Sequence, residues 1–599
     1  MKSTQSIIIF KSVAGLLAGL VLLLGGWLTG PAYANDAEIE VPCGIFRVTS
    51  LSSAISSANN HPGQDKLILA EGCTFTLVNA LPIITDDLII EGNEAIIERS
   101  TATTRQFRLL ASEANLTLRN VTLRNGHVRS SRGAGISVGG SLVATGITVT
   151  HNLIDIGNCG ECSGGGIYVA GDAVVSAATF SENEIRFTNT GGGGLYVAGN
   201  LTLSSSRFFS NTAGNFPDNN GSGGGVRVEG DLTVTNSDFF YNKAPILGAG
   251  VYAGGKTTIS HNRFYTNTTT SDIGSGGGLF SGGASSVAES EFVGNTASDG
   301  GGIYIGEGGN SLITGSLFER NKGGGIFSLQ PVRLENNRFI NNRAARGGGA
   351  HIHSGAALNN VFDGNRALAE EGNGFNFGGG LFVGDNATVR NNLFVRNHAD
   401  ERGGALTILQ FPGGGASLIV NNLLVGNEAP SGPAIDIGIE VPQLPNHNGG
   451  LSEIHHNTIA QGSRSNGSAI QIVIGTANLR NNIIIRHAIG LGAGNKAVVT
   501  SDHNLYFDNL LNYAGVAAGP ADLTADPRFV APAQGDFHLS ANSPARDAGT
   551  NIGITVDLEG AVRPQGPGFD IGAYEFGSTP PNPNPNPGGF SVFLPLVVK

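Results

Sequence analysis

The chain has 599 residues, 92 of them glycine, with a single methionine, a single tryptophan and a formal net charge of −12. Glycine at about twice its usual share argues against long helices. An acidic chain without a basic run excludes nucleic acid and anionic membrane surfaces as partners.

In chain order, Lys2 and Lys11 precede an apolar run from Val13 to Leu28, and Ala32-Tyr33-Ala34 follows it. These are the parts of a secretory signal peptide over residues 1–34, with the mature chain starting at Asn35. Nothing later is long enough to cross a bilayer, which takes roughly 20 apolar residues. The exported chain is therefore expected to be secreted or held at the cell surface, soluble or peripherally attached to an envelope. Residues 35–125 read as an N-terminal cap and first coils. Leu51, Ala54, Ile55 and Ala58 fall at helical spacing and predict a short amphipathic helix over the first coil. Asp86-Asp87 reads as a turn before the strand Leu88-Ile89-Ile90.

All four cysteines follow the signal segment, an even number suited to an oxidising compartment. The expected bridges are Cys43 with Cys73 and Cys159 with Cys162. The Cys159-Gly160-Glu161-Cys162 spacing is also that of a redox motif or half a metal site, but no second pair completes four ligands. No metal and no cofactor is expected.

Residues 126–510 carry a repeat. Phe-x-x-Asn recurs at Phe180/Asn183, Phe208/Asn211, Phe239/Asn242, Phe264/Asn267, Phe292/Asn295, Phe318/Asn321, Phe339/Asn342, Phe362/Asn365 and Phe394/Asn397. Between these anchors lies a glycine cluster followed by an apolar triplet, as in Ile167-Tyr168-Val169 or Leu381-Phe382-Val383, and then a third short strand such as Leu201-Thr202-Leu203. Three short strands with alternating inward residues close one coil, and stacking coils at about 4.8 Å makes a continuous core. The spacing thus predicts an all-β, single-stranded parallel β-helix, on the order of 15 to 17 coils at the strand spacing. A β-propeller would need about 40 residues per blade. Asparagine at one corner predicts a ladder of side-chain amides along the axis.

Residues 511–577 lose the repeat and read as a closing cap. Residues 578–589, Ser-Thr-Pro-Pro-Asn-Pro-Asn-Pro-Asn-Pro-Gly-Gly, form an extended linker. Residues 590–599, Phe-Ser-Val-Phe-Leu-Pro-Leu-Val-Val-Lys, are either a sorting or attachment signal or a strand that docks on the body.

The coils resemble right-handed parallel β-helix proteins of the pectate-lyase-like superfamily. The paired glycine-cluster and Phe-x-x-Asn elements resemble the repeats of polymorphic outer-membrane proteins, which serve as adhesins. Asp526-Pro-Arg-Phe, Gly535-Asp-Phe-His-Leu, Ser543-Pro-Ala-Arg-Asp547 and Asp570-Ile-Gly-Ala-Tyr-Glu575 are similar to the choice-of-anchor domain of bacterial surface β-helix proteins. The resemblance implies a fold and a surface placement; the superfamily holds lyases, hydrolases and non-catalytic adhesins alike.

Two constellations are candidates for function. The loops after the asparagine corner carry Arg343 and Arg346, then Arg366, Glu370 and Glu371, then His398, Asp400, Glu401 and Arg402. Stacking brings these acids and bases together, as cleavage of a uronic-acid polymer would require and as a solvated salt-bridge ladder would also show. The middle residues of the triplets form one outward column: Tyr168, Tyr196, Arg227, Tyr252, Phe280, Tyr304, Phe327, His351 and Phe382. Such a strip suits binding of a polysaccharide or a cell-surface protein, or serves stability through ring stacking alone. His351 and His353 read as surface histidines. The first reading is a monomeric, non-catalytic adhesion or glycan-binding rod; the alternative is a polysaccharide lyase or glycoside hydrolase.

Overall fold

The computed structural model describes residues 36–155, 162–187, 190–214, 220–372, 375–410, 414–438, 449–460 and 467–577. Short parallel strands stack in three main columns, with two-residue strands such as Glu184–Ile185 and Arg343–Ala344 pairing in parallel at the asparagine corner as well, to form a parallel β-helix. The first column holds the glycine-cluster triplets, from Leu110–Ser112 through Ile167–Val169 and Ile303–Ile305 to Leu511–Ala514. The second includes Leu201–Ser204 and Leu232–Thr235, in register residue by residue. The third, the Phe strands, runs without a break from Thr74–Leu77 to Leu523–Thr524.

Alternation explains why these segments are strands. In Leu201–Ser204 the leucines are buried and Thr202 is exposed; in Val226–Val228 both valines are buried around Arg227. Each inward side chain meets its equivalent one coil away, and the third column supplies the most regular case. Phe180, Phe208, Phe239, Phe264 and Phe292 are fully buried and stack with ring centroids 4.5–5.3 Å apart. At each Phe-x-x-Asn corner the asparagine is also fully buried, and its Nδ2 donates to Oδ1 of the next asparagine, as from Asn211 to Asn242 and from Asn342 to Asn365 (both 3.0 Å). A second amide ladder, at the corner between the second and third columns, runs through Asn337, Asn360, Asn392, Asn422, Asn457, Asn482 and Asn504.

The corners use the left-handed backbone in two ways. The first glycine of each cluster has positive φ, as at Gly300 (62°), where a Cβ would lie 2.3 Å from the Ile303 carbonyl oxygen. The residue two after each Phe is also left-handed, but there the chain uses Glu182, Ser210, Tyr241, Thr266 and Arg320 as well as glycine. In the central coils length varies most at the corner after the ladder asparagine; in the C-terminal coils it varies also between the first and second columns, where Ile408 is followed by Ser417 and Ile437 by Leu451. The last glycine of the cluster precedes the ladder Phe by fourteen residues in both Gly194–Phe208 and Gly380–Phe394, whereas the step from the ladder asparagine to that glycine is four residues in Asn321–Gly325 and fifteen in Asn365–Gly380.

The helix Arg47–Ala58 buries Leu51, Ala54, Ile55 and Ala58 against the first strands. Cys43 is bonded to Cys73 across 30 residues, tying the chain ahead of this helix to the first coils. Cys162 is buried and not free, while Cys159 lies outside the described residues. Asp86 and Asp87 form a turn, accepting from the Gly63 and Asn115 backbone N–H groups. The 1–34 segment and residues 578–599 lie outside the described residues. Among the described residues no helix is long and apolar enough to cross a membrane.

Of residues 511–577, read from sequence as a closing cap, Leu511–Ala514 and Leu523–Thr524 still add strands to the first and third columns, and residues 526–577 fold back along the flank. They pack on the outer face of the third column, where Leu423, Val425, Ala460, Ile483, Ile485 and Leu505 meet Phe537, Leu539, Ala545, Ile571 and Tyr574. The reason is visible in those strands, whose residues are apolar on both faces, so that one face must find a cover. The segment is held by Asn481 Nδ2 donating to Thr550 O (2.8 Å) and by the Ala573 N–H donating to Thr458 Oγ1 (2.9 Å). Its recurring acidic and basic residues build its own interior: Arg563 pairs with Glu575 at 2.7 Å, both fully buried, and the Asp547 N–H donates to Asp570 Oδ1.

Candidate binding face

The outward column of the first sheet is in register throughout: Tyr168 pairs with Tyr196, then Arg227, Tyr252, Phe280, Tyr304, Phe327, His351 and Phe382. Its rings are offset-stacked at 5.2 Å between Tyr168 and Tyr196 and along Tyr252, Phe280, Tyr304 and Phe327. Parallel rings this close must overlap face to face. The column therefore presents ring edges and hydroxyls, not free faces.

The strip is less open than its sequence suggests. Tyr168 is buried under Arg132, which donates to its hydroxyl (3.1 Å), and Phe382 is buried against Phe377 and Leu409; the members between them are half-buried. His351 is no free surface histidine: it lies edge-on between Phe327 and Phe382, with centroids 4.5 and 4.6 Å away. Burial there pulls it down to about 3, helped by the positive charge of Arg346, so it is neutral at pH 7. His353, two residues on, is exposed.

Charged residues bank this apolar floor. Arg227 pairs with Glu229 at 2.7 Å and lies 4.4 Å from the Tyr252 ring centre, a cation–π contact. Burial and the neighbouring Glu229 push the Tyr196 hydroxyl up to about 12.

The charged loops of residues 343–402 divide into two groups. Arg343, Arg366 and His398 stack in register at the asparagine corner. Glu371, its side chain only 6% exposed, is bound by Arg343 (3.1 Å) and Lys322 (3.4 Å). Asp400 accepts from the Ala369 N–H (2.8 Å) and pairs with His398 (3.0 Å); these contacts lower its carboxyl despite an opposing effect of burial. Glu401 accepts from Asn376 Nδ2 (3.3 Å), and Glu370 is exposed.

Arg402 turns the other way, toward the column. Its Nε lies 3.2 Å from Asp436 Oδ2, which also accepts from Ser431 Oγ (3.1 Å), and its guanidinium lies 5.8 Å from the Phe377 ring centre. Asp436 is fully buried, its Oδ1 has no hydrogen-bond partner, and burial raises its carboxyl to about 7 against the pull of Arg402 and Ser431. Sequence reasoning missed this residue. Its signal was the column register, which continues past Phe382 through Thr407 to Asp436 and Gln471.

Against known proteins, the family described as "Right handed beta helix region" matches residues 71–297, 229–397 and 289–438, overlapping stretches that cover more than half of the chain. No curated protein matches it.

Proposed function

The chain belongs to the right-handed β-helix family, and from that premise we propose that it is a non-catalytic rod, exported and displayed outside the cell, that binds an extended glycan along its first sheet. The observation that carries the reading is the in-register floor from Tyr168 to Phe382. It spans eight coil steps, about 38 Å at the strand spacing, with an apolar base and polar banks, the usual chemistry of a ligand cleft. Ring edges and tyrosine hydroxyls, with the Arg227–Glu229 pair beside them, suit the hydroxyls of a linear sugar polymer. The Cys43–Cys73 bridge supports an oxidising compartment. The acids and bases of the 343–402 loops favour a structural role, because Glu371, Asp400 and Arg402 are each held in ion pairs within the protein.

The test is retention on columns of immobilised pectins, alginates, glycosaminoglycans and neutral glycans. The parent should be retained by at least one of them, and the Tyr252→Ser/Phe280→Ser/Tyr304→Ser variant, confined to half-buried members of the column, should pass through. Unchanged retention of that variant would sink the proposal.

A second reading, a lyase or hydrolase of a uronic-acid polymer, is favoured by one observation: Asp436, with a carboxyl raised to about 7 at the end of the same column, has the character of a general acid or base. Release of unsaturated uronate or new reducing ends by the parent, abolished in Asp436→Asn, would replace the first reading with this one.

A further inference from the structure

The flanking segment 526–577 is fastened to the body by one file of corner residues. The residue before each asparagine of the second ladder is left-handed, and in three consecutive coils under the segment this file reads Asn421, His456 and Asn481, with φ of 53°, 52° and 58°. Asn421 Nδ2 donates to the Val556 carbonyl (2.8 Å). Asn481 holds Thr550 from both sides: its Nδ2 donates to Thr550 O (2.8 Å) and its Oδ1 accepts from the Thr550 N–H (2.9 Å). Its backbone carbonyl also accepts from the Gly572 N–H (2.7 Å). Between these two asparagines stands the histidine, fully buried.

His456 fits that place as a neutral ring. The Thr550 contacts fix the Asn481 amide with its N–H groups toward His456, so Nε2, 3.0 Å from Asn481 Nδ2, is an acceptor. A proton there would set donor against donor. Across the seam lies Arg563, fully buried and paired with Glu575 at 2.7 Å, with Asp557 and Asp570 also acting on its charge. From the body, His455, paired with Glu453 at 2.9 Å, adds a second basic group. Burial first, then the charges of Arg563 and His455, hold the His456 imidazole well below its ordinary 6.5. The Gly572 and Asp570 carbonyls pull the other way and do not offset this.

We propose that His456 is an acid latch, whose protonation releases the flanking segment and bares the apolar outer face of Leu423, Val425, Ala460, Ile483, Ile485 and Leu505. Once free, the side chain carries its charge in water; docked, it would be a buried cation beside Arg563. A group whose docked form resists protonation leaves docking at full strength above about pH 6.5 and weakens it as pH falls below that value. Three other groups of the segment work in the opposite sense. Burial raises the carboxyls of Asp570 and Glu575, and Glu559 with Asp536 raises His538 to about 9, so mild acid favours their folded forms. The latch does not depend on glycan binding by the first sheet.

The test is hydrogen exchange on the full chain at pH 7 and pH 5, corrected for the intrinsic pH dependence of exchange. Opening at the Thr550, Gly572 and Ala573 amides should rise about 25-fold in the parent, the ratio for a histidine neutral when docked and ordinary when free, and less than about threefold in His456→Asn. That variant restores the asparagine of the neighbouring coils. His456→Gln, an uncharged acceptor for Asn481, should behave alike and guards against a single variant that fails to dock. Amides around Leu203 should keep their protection throughout. Equal opening of the parent at the two pH values, a rise as large in both variants as in the parent, or loosening that reaches Leu203 would each overturn the proposal. A dye that brightens on apolar surface should do so with the parent at pH 5 and with neither variant; an equal signal from all three also overturns it.

Discussion

Asn321 stands in the middle of the buried amide ladder, and its replacement by alanine tests what the ladder contributes. Its Nδ2 donates to the Phe292 carbonyl (2.8 Å) and to Asn342 Oδ1 (2.9 Å), while its Oδ1 accepts from the Asn295 backbone N–H (2.9 Å) and side chain (3.1 Å). Alanine leaves the Asn295 N–H without a partner, in a region where the asparagines are 0% exposed, while the Phe292 carbonyl keeps its place in the backbone ladder to the Phe318 strand. An orphaned buried group costs about 1–3 kcal/mol, and the emptied space adds a further penalty of about 1 kcal/mol. The expected loss is therefore about 3 kcal/mol. Because each coil contacts only its neighbours, the loss should be local, which makes hydrogen exchange the assay. The amides of Asn295, Asn321 and Lys322 should open far more often, while those around Leu203 and Ile454 keep their protection. Thr233→Ala on the exposed outer face is the control, expected within about 0.5 kcal/mol of the parent. A loss below about 1 kcal/mol, or loosening spread evenly along the rod, would refute the reasoning.

The remaining predictions concern charge, a cross-link and the loops. Asp436 holds its proton up to about pH 7 in the folded chain against an ordinary 3.8, so its contribution is intact below about pH 4 and is lost as pH rises toward 7. Asp436→Asn should match the parent at pH 4 and unfold at higher urea at pH 8; a variant less stable than the parent at pH 8 contradicts this. Removing the bridge with Cys43→Ser/Cys73→Ser should cost about 3–4 kcal/mol by the chain-entropy account for a loop of this length, read as early loss of the Arg47–Ala58 helix on heating, with the central coils unaffected. Glu371→Gln should leave Arg343 and Lys322 facing each other unneutralised and lower the melting temperature more at low salt than at high salt. A salt-independent effect would show that packing, not charge, holds that corner.

Much of the body was legible because its signal is repeated. Phe180 and its successors, the asparagines three residues on and the leucines of the 201–203 type announce inward positions by alternation, and the helix Arg47–Ala58 follows from four apolar residues at helical spacing. The second amide ladder was missed, although Asn-Asn pairs at 336–337, 359–360, 391–392, 421–422 and 481–482 mark it. The left-handed corners at Glu182, Tyr241 and Arg320 were not legible, since no property of those side chains asks for positive φ; the stack imposes it. The flanking position of residues 526–577 was hidden because a cap and a cover need the same apolar residues. The candidate face was half legible: alternation gave the column, but its burial at Tyr168 and Phe382 depends on Arg132, Phe377 and Leu409, which the repeat does not encode. Asp436 carries no aromatic signal, and only the register of the column beyond Phe382, through Thr407, marks its position.

The corner after the ladder asparagine, four residues long after Asn321 and fifteen after Asn365, bears on how such a molecule can diversify. That corner supplies Arg346 and Arg402, which lie beside the first-sheet column, and Glu371, which is held at the corner itself, while in the central coils both amide ladders and the phenylalanine stack lie in stretches of nearly fixed length. Insertions and substitutions there leave the hydrogen-bonded frame untouched, much as hypervariable loops ride on a constant sandwich. Under the proposed binding role, recognition can thus drift from one partner to another at little thermodynamic risk, coil by coil, and a library confined to these corners would vary the surface on an unchanged scaffold.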